Sequence, residues 1–377
     1  MSGSLPYSRQ WITGEDVRAV SRVLRSDWIT QGPAVGEFEG RFARFVGARH
    51  AVAVSSGTAA LHAACAAAGL GHGDEAVVPP ITFVATANAV LYCGARPVFA
   101  DVEADTATMD PKAFDAAITR RTKAVLPVDF AGHPADLESI VRIARRHNLI
   151  VIEDAAHSVG ALSHGRRVGT LADMTCFSFH PVKHITTGEG GLVTTDDDAL
   201  ASKLRMFRTH GITKDPTALT RDEGPWYYEQ HVLGFNYRIT DFQCALGSSQ
   251  LKRAGAFVRA RRALAAAYGR ALEGWEDVTG AVERPWARHS YHLYPIRLAQ
   301  PRRRRAVFEG LRARGFGVQV HYIPVHLQPY YRRVLGTRPG MCPRAEAFYA
   351  AEISLPVFPQ MKPADVRRVV AALREEV

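Results

Sequence analysis

Three short segments of this sequence put reactive or anion-binding residue types at the ends of strand-like runs. In Leu149-Ile-Val-Ile-Glu153-Asp154-Ala-Ala-His157 an acidic pair closes an apolar run, at the edge where open α/β sheets present ligands. A carboxylate there can serve as a charge partner, although an isolated Asp also suits a helix cap or a surface ion pair. The second segment is Ser178-Phe179-His180-Pro181-Val182-Lys183-His184, followed by Gly188-Glu189-Gly190-Gly191. Lysine normally sits at the surface. Held in a cleft it loses hydration, its amine pKa falls, and the neutral amine becomes a nucleophile able to form a Schiff base. The third is Val54-Ser55-Ser56-Gly57-Thr58-Ala59-Ala60-Leu61, where strand passes into helix. Unpaired N–H groups and the positive end of the helix dipole make such a junction an anion site, with plain N-capping as the structural alternative.

Together the three segments support a reading that none supports alone. An anion cup, a strand-end aspartate and a lysine beyond the next strand are what pyridoxal 5′-phosphate needs: an anchor for its phosphate, a partner for its pyridine nitrogen and an amine for its aldehyde. A G-x-S-x-G nucleophile elbow and a Walker A loop are absent. His157, His180 and His184 are of metal-ligating type, but no H-E-x-x-H spacing joins them, and no metal is expected.

The elements that must position these residues follow from periodicity. Ala51–Ser55, Glu75–Pro79, Arg96–Val102, Ala124–Asp129, Leu149–Asp154, Met174–Phe179 and Gly191–Thr195 are short, rich in Val or Ile in most cases and bounded by turn residues, so they read as strands. Gly57–Leu70, Phe83–Cys93, Pro111–Ile118 and Leu137–His147 carry helical spacing between them. The alternation implies βαβ units and a mostly parallel sheet covered on both faces. Ahead of it, Glu15–Ser26 and Val35–Val46 read as an N-terminal helical arm. After it come Asp197–Thr209, a loop rich in Gly, Pro and aromatics, and one long helical pattern from Thr240 to Leu272. Strands near His289–Leu298 and Gly317–Ile323, with helices near Arg303–Arg314, Pro343–Glu352 and Ala364–Val377, suit a smaller α+β domain.

The chain has 377 residues, 47% hydrophobic and 22% charged, a composition that excludes disorder and a small disulfide scaffold. Lys and Arg exceed Asp and Glu by 47 to 37, so a polyanion has to be considered as partner. The excess is scattered. Its densest cluster, Arg302–Arg305, opens a helical pattern, and no interleaved aromatic stripe points to nucleic acid. The 5 cysteines are odd in number and widely spaced, which argues against a disulfide framework or structural zinc and favours the cytoplasm. The first ten residues contain no apolar leader core, and nowhere do enough apolar residues run together to span a membrane.

At the chemistry-bearing segments the sequence resembles the DegT/DnrJ/EryC1/StrS family of nucleotide-sugar aminotransferases. The resemblance covers nearly the whole chain. It is carried by Thr30-Gln31-Gly32-Pro33, Ser56–Leu61, Glu153–His157, Ser178-Phe179-His180 with Lys183, Gly188–Gly191 and Gly234-Phe235-Asn236-Tyr237-Arg238-Ile239-Thr240-Asp241. It implies a fold-type I, aspartate aminotransferase-like α/β architecture, with residues 1–240 forming the arm and large cofactor domain and 241–377 a linking helix and small α+β domain. It implies that Lys183 links covalently to pyridoxal 5′-phosphate and Asp154 meets the pyridine nitrogen, with Gly57, Thr58 and Ser178 on the phosphate. Phe83 would lie over the ring and His157 beside it. Asn236 would reach the neighbouring subunit's site, making the working unit a homodimer. Arg238, His321, Tyr322 and His326 are candidates for contact with a nucleotide-sugar substrate, and L-glutamate is the implied amino donor.

Pro6–Gln10, Ser26–Pro33, Ile81–Asn88, Gly224–Gln230 and Val320–Pro329 look most like the subgroup that aminates C4 of UDP-4-keto-6-deoxy-N-acetyl-L-altrosamine. Val128-Asp129-Phe130-Ala131-Gly132-His133-Pro134 departs from the commoner pattern, and altered contacts near the substrate entrance are expected from it. Aminotransferases for other GDP- or dTDP-linked ketosugars remain alternatives. So do a deoxygenating dehydratase, which would carry histidine in place of the lysine, and a non-catalytic sugar-nucleotide-binding regulator.

Overall fold

The computed structural model describes residues 4–377. The first three residues of the stretch read above as lacking an apolar leader lie outside the described residues. The large sheet has seven strands: β1 (His50–Val54), β2 (Glu75–Val78), β3 (Arg96–Phe99), β4 (Thr122–Val125), β5 (Ile150–Asp154), β6 (Met174–Ser178) and β7 (Gly191–Thr195). Their order is β1-β7-β6-β5-β4-β2-β3. β7 runs antiparallel to both of its neighbours, and the other pairings are parallel.

Side chains alternate across each strand. Val52, Val78, Ile152, Cys176 and Val193 face one core with helices α3 (Gly57–Ala67) and α4 (Ala85–Tyr92). Ala53, Phe177 and Leu192 face Phe38 and Phe42 of α2 (Pro33–Val46) on the other side. Val77, Val125 and Val151 meet Phe114 of α5 (Pro111–Ala117) and Ile140 of α6 (Leu137–Arg146) there. Burial on both faces is why these strands read as short continuous apolar runs rather than as alternating ones.

Helix α1 (Gly14–Leu24) starts where the Thr13 amide donates to Asp16 Oδ2 at 2.8 Å. The same carboxyl accepts from Gln250 and pairs with Arg253, docking the arm on the chain that follows the large sheet. After α7 (Asp198–Arg208) the pattern from Thr240 to Leu272 forms two helices, α8 (Asp241–Leu251) and α9 (Ala254–Leu272). The break falls at Lys252 and Arg253, where the Arg253 amide bonds back to Gln250.

A second core joins Tyr268, Ile296, Leu311, Ile353 and Val369, and it takes in Leu5 from the arm. It packs α9, α10 (Arg304–Ala313) and, beyond α11 (Pro329–Leu335) and α12 (Pro343–Ala351), α13 (Pro363–Glu376) on a three-stranded antiparallel sheet. That sheet consists of β8 (Val278–Thr279), β9 (Tyr294–Leu298) and β10 (Glu352–Leu355). The strand expected at Gly317–Ile323 does not form; only Gln319 bridges Ser354 there. The sheet instead takes Glu352–Leu355, which directly follows α12 and whose first residue sequence periodicity assigned to that helix.

Candidate active site

The C-terminal ends of β1, β5 and β6 converge on a cavity of about 440 Å³. Gly57, Thr58, Phe83, Asp154, His157, Ser178, Lys183, His321 and Tyr322 all line it. The three segments singled out by chemistry therefore meet in space.

Lys183 sits on a turn closed by its own amide donating to the His180 carbonyl at 2.9 Å. The Thr187 amide and the Thr186 hydroxyl both return to the Phe179 carbonyl, and Phe179 is anchored edge-on against Phe38 and Phe42. Ser8 adds a hydrogen bond to the Val182 carbonyl. The protein packed around the Lys183 amine lowers its pKa to about 8 against the opposing pull of Asp154. A substantial neutral fraction at mildly alkaline pH follows, as required for attack on an aldehyde.

Asp154 ends β5 and is buried. Its Oδ2 accepts from the Thr86 hydroxyl at 2.7 Å and its Oδ1 from the Ala156 amide at 3.2 Å. Burial raises its pKa, outweighing the opposing effects of Thr86, Ala156 and Lys183. A cation arriving within the cavity would favour its anionic form.

Helix α3 begins at the cavity wall, with the Ser56 hydroxyl accepting from the Ala59 amide at 3.0 Å. A Cβ on Gly57 would stand 2.9 Å from the Ser178 Cβ. Only glycine leaves this cradle open, and the helix N-terminus favours an anion in it. The residues therefore fit pyridoxal 5′-phosphate: Gly57, Thr58 and Ser178 would hold the phosphate, Asp154 the pyridine nitrogen and Lys183 the aldehyde carbon.

His157 lies against the cavity with Nε2 3.2 Å from the Tyr322 hydroxyl, and its Nδ1 is buried without a partner. Burial, together with Lys183, His321 and His184, holds its pKa well below the usual histidine range. His321 is pushed down to about 3, mainly by burial, and shares a 2.8 Å hydrogen bond between Nδ1 and the Ser354 hydroxyl. It shapes the cavity without carrying charge. Phe83 is 58% exposed at the rim, its ring centre 6.2 Å from that of Tyr322.

Three substrate or cofactor candidates lie elsewhere. His326 is fully buried (0% exposed) and bonds Glu346 at 2.9 Å, because the short turn at Val325–Leu327 directs it inward. This corrects its expected place near the substrate. Arg238 lines a separate hollow with Gln31, Glu39 and Arg208. Asn236 is exposed on the loop before α8, outside the cavity of its own chain. Of the departure at Val128–Pro134, Val128 lines the cavity, whereas Asp129 and His133 are buried away from it, His133 against Trp286 and His289. His184 bonds the Ser290 carbonyl and does not line the cavity, leaving Lys183 as the reactive group of that turn.

Sequence reasoning missed Thr82, Thr86 and His292. The 4-residue spacing of the threonines, whose hydroxyl oxygens lie 2.7 Å apart, was the available signal. His292, with its ring centre 4.4 Å from that of His157, carries no local signature.

Residues 10–374 match the model of the DegT/DnrJ/EryC1/StrS aminotransferase family. The chain belongs to that family. It is 41% identical over 377 residues to the spore coat polysaccharide biosynthesis protein SpsC of Bacillus subtilis, covering 99% of this chain and 97% of SpsC. The structure of Helicobacter pylori PseC, an aminotransferase involved in the biosynthesis of pseudoaminic acid, superposes with a TM-score of 0.91 at 34% identity, over 99% of each chain. The PLP-form of the putative sugar aminotransferase Spr1654 from Streptococcus pneumoniae gives 0.91 at 28% identity, over 99% of this chain and 100% of that one. The fold is accordingly the aminotransferase fold, and the cofactor of this family member is pyridoxal 5′-phosphate.

Proposed function

We propose that the protein transfers an amino group from L-glutamate to C4 of a nucleotide-linked 4-keto-6-deoxy sugar, of the kind represented by UDP-4-keto-6-deoxy-N-acetyl-L-altrosamine. The observation that carries this reading is the meeting of a lysine of lowered pKa with a buried aspartate in one cavity. The names of SpsC and PseC, which concern polysaccharide and pseudoaminic acid biosynthesis, support a sugar as acceptor. When bound, pyridoxal 5′-phosphate supplies the electron sink and carries nitrogen from donor to acceptor.

Lys183 would hold the cofactor's aldehyde carbon, and its amine, when free, would take up the proton leaving the donor's Cα. Asp154 keeps the pyridine nitrogen protonated. Thr86 and the Ala156 amide fix the orientation of that carboxyl. His157 and Tyr322 form one wall and Phe83 the outer rim.

Among the described residues lining the cavity, Lys183 is the only lysine or arginine. A diphosphate-linked substrate therefore draws its cationic contacts from outside this wall. Asn236 and Arg238, which lie off their own chain's cavity, are assigned to the site of a second copy. Trp226 and Leu233 on the same loop are 70% and 81% exposed, which supports a homodimer covering it. The five free cysteines suit a reducing cytoplasm.

The test is to offer the cofactor-loaded protein ¹⁵N-glutamate with a panel of UDP-, GDP- and dTDP-linked ketosugars and to locate the label. Nitrogen at C4 of a UDP-linked sugar is the expected result. No labelled sugar from any member of the panel would overturn the assignment.

A further inference from the structure

Glu153 and Asp154 are consecutive on β5, and their side chains leave the strand on opposite sides. Behind the cavity, the parallel bridge between Val128 and Asp154 sets Asp129 and Glu153 on the same side of adjacent segments, and both are fully buried. Asp129 has donors for both oxygens: the Ala135 amide reaches Oδ1 at 2.8 Å and the Ser158 hydroxyl reaches Oδ2 at 2.5 Å. Glu153 Oε2 accepts from the Thr175 hydroxyl at 2.8 Å, whereas Oε1 receives nothing. Neither carboxyl forms an ion pair with any described residue. A buried carboxylate with a bare oxygen is costly, but a carboxylic acid at that oxygen has a donor to place. Asp129 is the carboxyl that it faces.

Charge balance leads the same way. Asp129, Glu153 and Asp154 are three buried carboxyls that act on one another, and only Asp154 has a cation, Lys183, beside it, so they cannot all be anions at low cost. Asp154 must be an anion to partner a pyridinium nitrogen, and Asp129 is solvated as one by two donors. The proton belongs on Glu153.

We propose that Glu153 is a neutral carboxylic acid that donates its proton to Asp129, and that this pair is a positioning element for Asp154. The link is short. The Asp129 amide donates to the Asp154 carbonyl at 3.1 Å, and the Asp154 amide donates to the Pro127 carbonyl at 2.8 Å. A second negative charge on Glu153 would set two anions against each other across the seam that holds Asp154. Burial raises both carboxyls and favours the proton strongly, holding Glu153 well above the usual carboxylate range.

The proposal rests on Asp154 as partner of the cofactor nitrogen, but its main test reads the acid pair whether or not that assignment stands. Glu352 is also fully buried, with its pKa pushed up to about 8, and contributes a protonated-carboxyl band of its own. The infrared difference between native protein and Glu153→Gln in heavy water at neutral pH should therefore show one further C=O stretch of a protonated carboxyl that the variant lacks. Glu153→Ala should weaken retention of pyridoxal 5′-phosphate about tenfold, and Glu153→Gln, which keeps a donor facing Asp129, should recover most of that loss. A difference spectrum in which no protonated-carboxyl band is lost in Glu153→Gln overturns the proposal. Equal loss of cofactor in the two variants overturns the positioning role. If the alanine variant does not fold, the infrared comparison of native protein and Glu153→Gln decides.

Discussion

Thr86 donates its hydroxyl hydrogen to Asp154 Oδ2 at 2.7 Å, while its own oxygen lies 2.7 Å from that of Thr82. The two threonines form a buried relay that ends on the carboxyl at the cavity wall. Burial raises the Asp154 pKa, and the Thr86 hydrogen bond opposes that rise. Removing a donor that favours the anion raises a carboxyl pKa further. In Thr86→Val, activity should therefore fail at a higher pH than in the native enzyme as the solution is acidified. Cofactor binding should weaken roughly tenfold, the usual cost of a lost hydrogen bond to a charged group. The pH dependence of kcat/KM and a cofactor titration check both points; an unmoved acid limb would remove Thr86 from this role.

Gly57 and Ser178 make a second test of cofactor geometry. A methyl at Gly57 would press on the Ser178 Cβ and fill the anion cradle. Gly57→Ala should bind pyridoxal 5′-phosphate at least about tenfold more weakly, since it removes contacts to a charged group. Pyridoxal without its phosphate should bind almost as well as to native protein. Equal losses for the two ligands would mean that the phosphate lies elsewhere.

The amine of Lys183 has a pKa of about 8 in the cofactor-free protein. Because the neutral form attacks the aldehyde, cofactor capture should accelerate as pH rises through that value and level off above it. Stopped-flow absorbance across this range reads the transition directly. A rate still climbing at the ordinary lysine pKa of about 10.4 would show an amine in contact with water.

Subunit sharing predicts complementation. Lys183→Ala and Asn236→Ala should each be inactive alone. A mixture of the two, unfolded and refolded together, should regain up to about a quarter of native activity through mixed dimers with one intact site. No recovery, in a mixture shown by mass spectrometry to contain mixed dimers, would place Asn236 outside the partner's site.

The seven strands of the large sheet were legible because burial on both faces leaves short Val- and Ile-rich runs between turn residues. Lys183, Asp154 and Gly57 were legible because each follows or ends such a run, where a parallel sheet presents its ligand edge. Legibility failed where direction depends on tertiary contact. His321 and His326 lie close in sequence, yet one lines the cavity and the other turns inward to Glu346. In the stretch Val128–Pro134, Val128 lines the cavity while Asp129, the next residue, is sealed beside the end of β5, and only packing shows the difference. The break between α8 and α9 escaped notice because neither Gly nor Pro marks it; Arg253 leaves the helical line where its side chain pairs with Asp16.

Borohydride reduction of the cofactor-loaded protein, followed by peptide mass mapping, tests most directly whether the site works as described. The phosphopyridoxyl group should be found on Lys183 and on no other lysine, with Lys183→Ala unlabelled. A label on a different residue, or none on native protein saturated with cofactor, would contradict the assignment of this cavity as the catalytic centre.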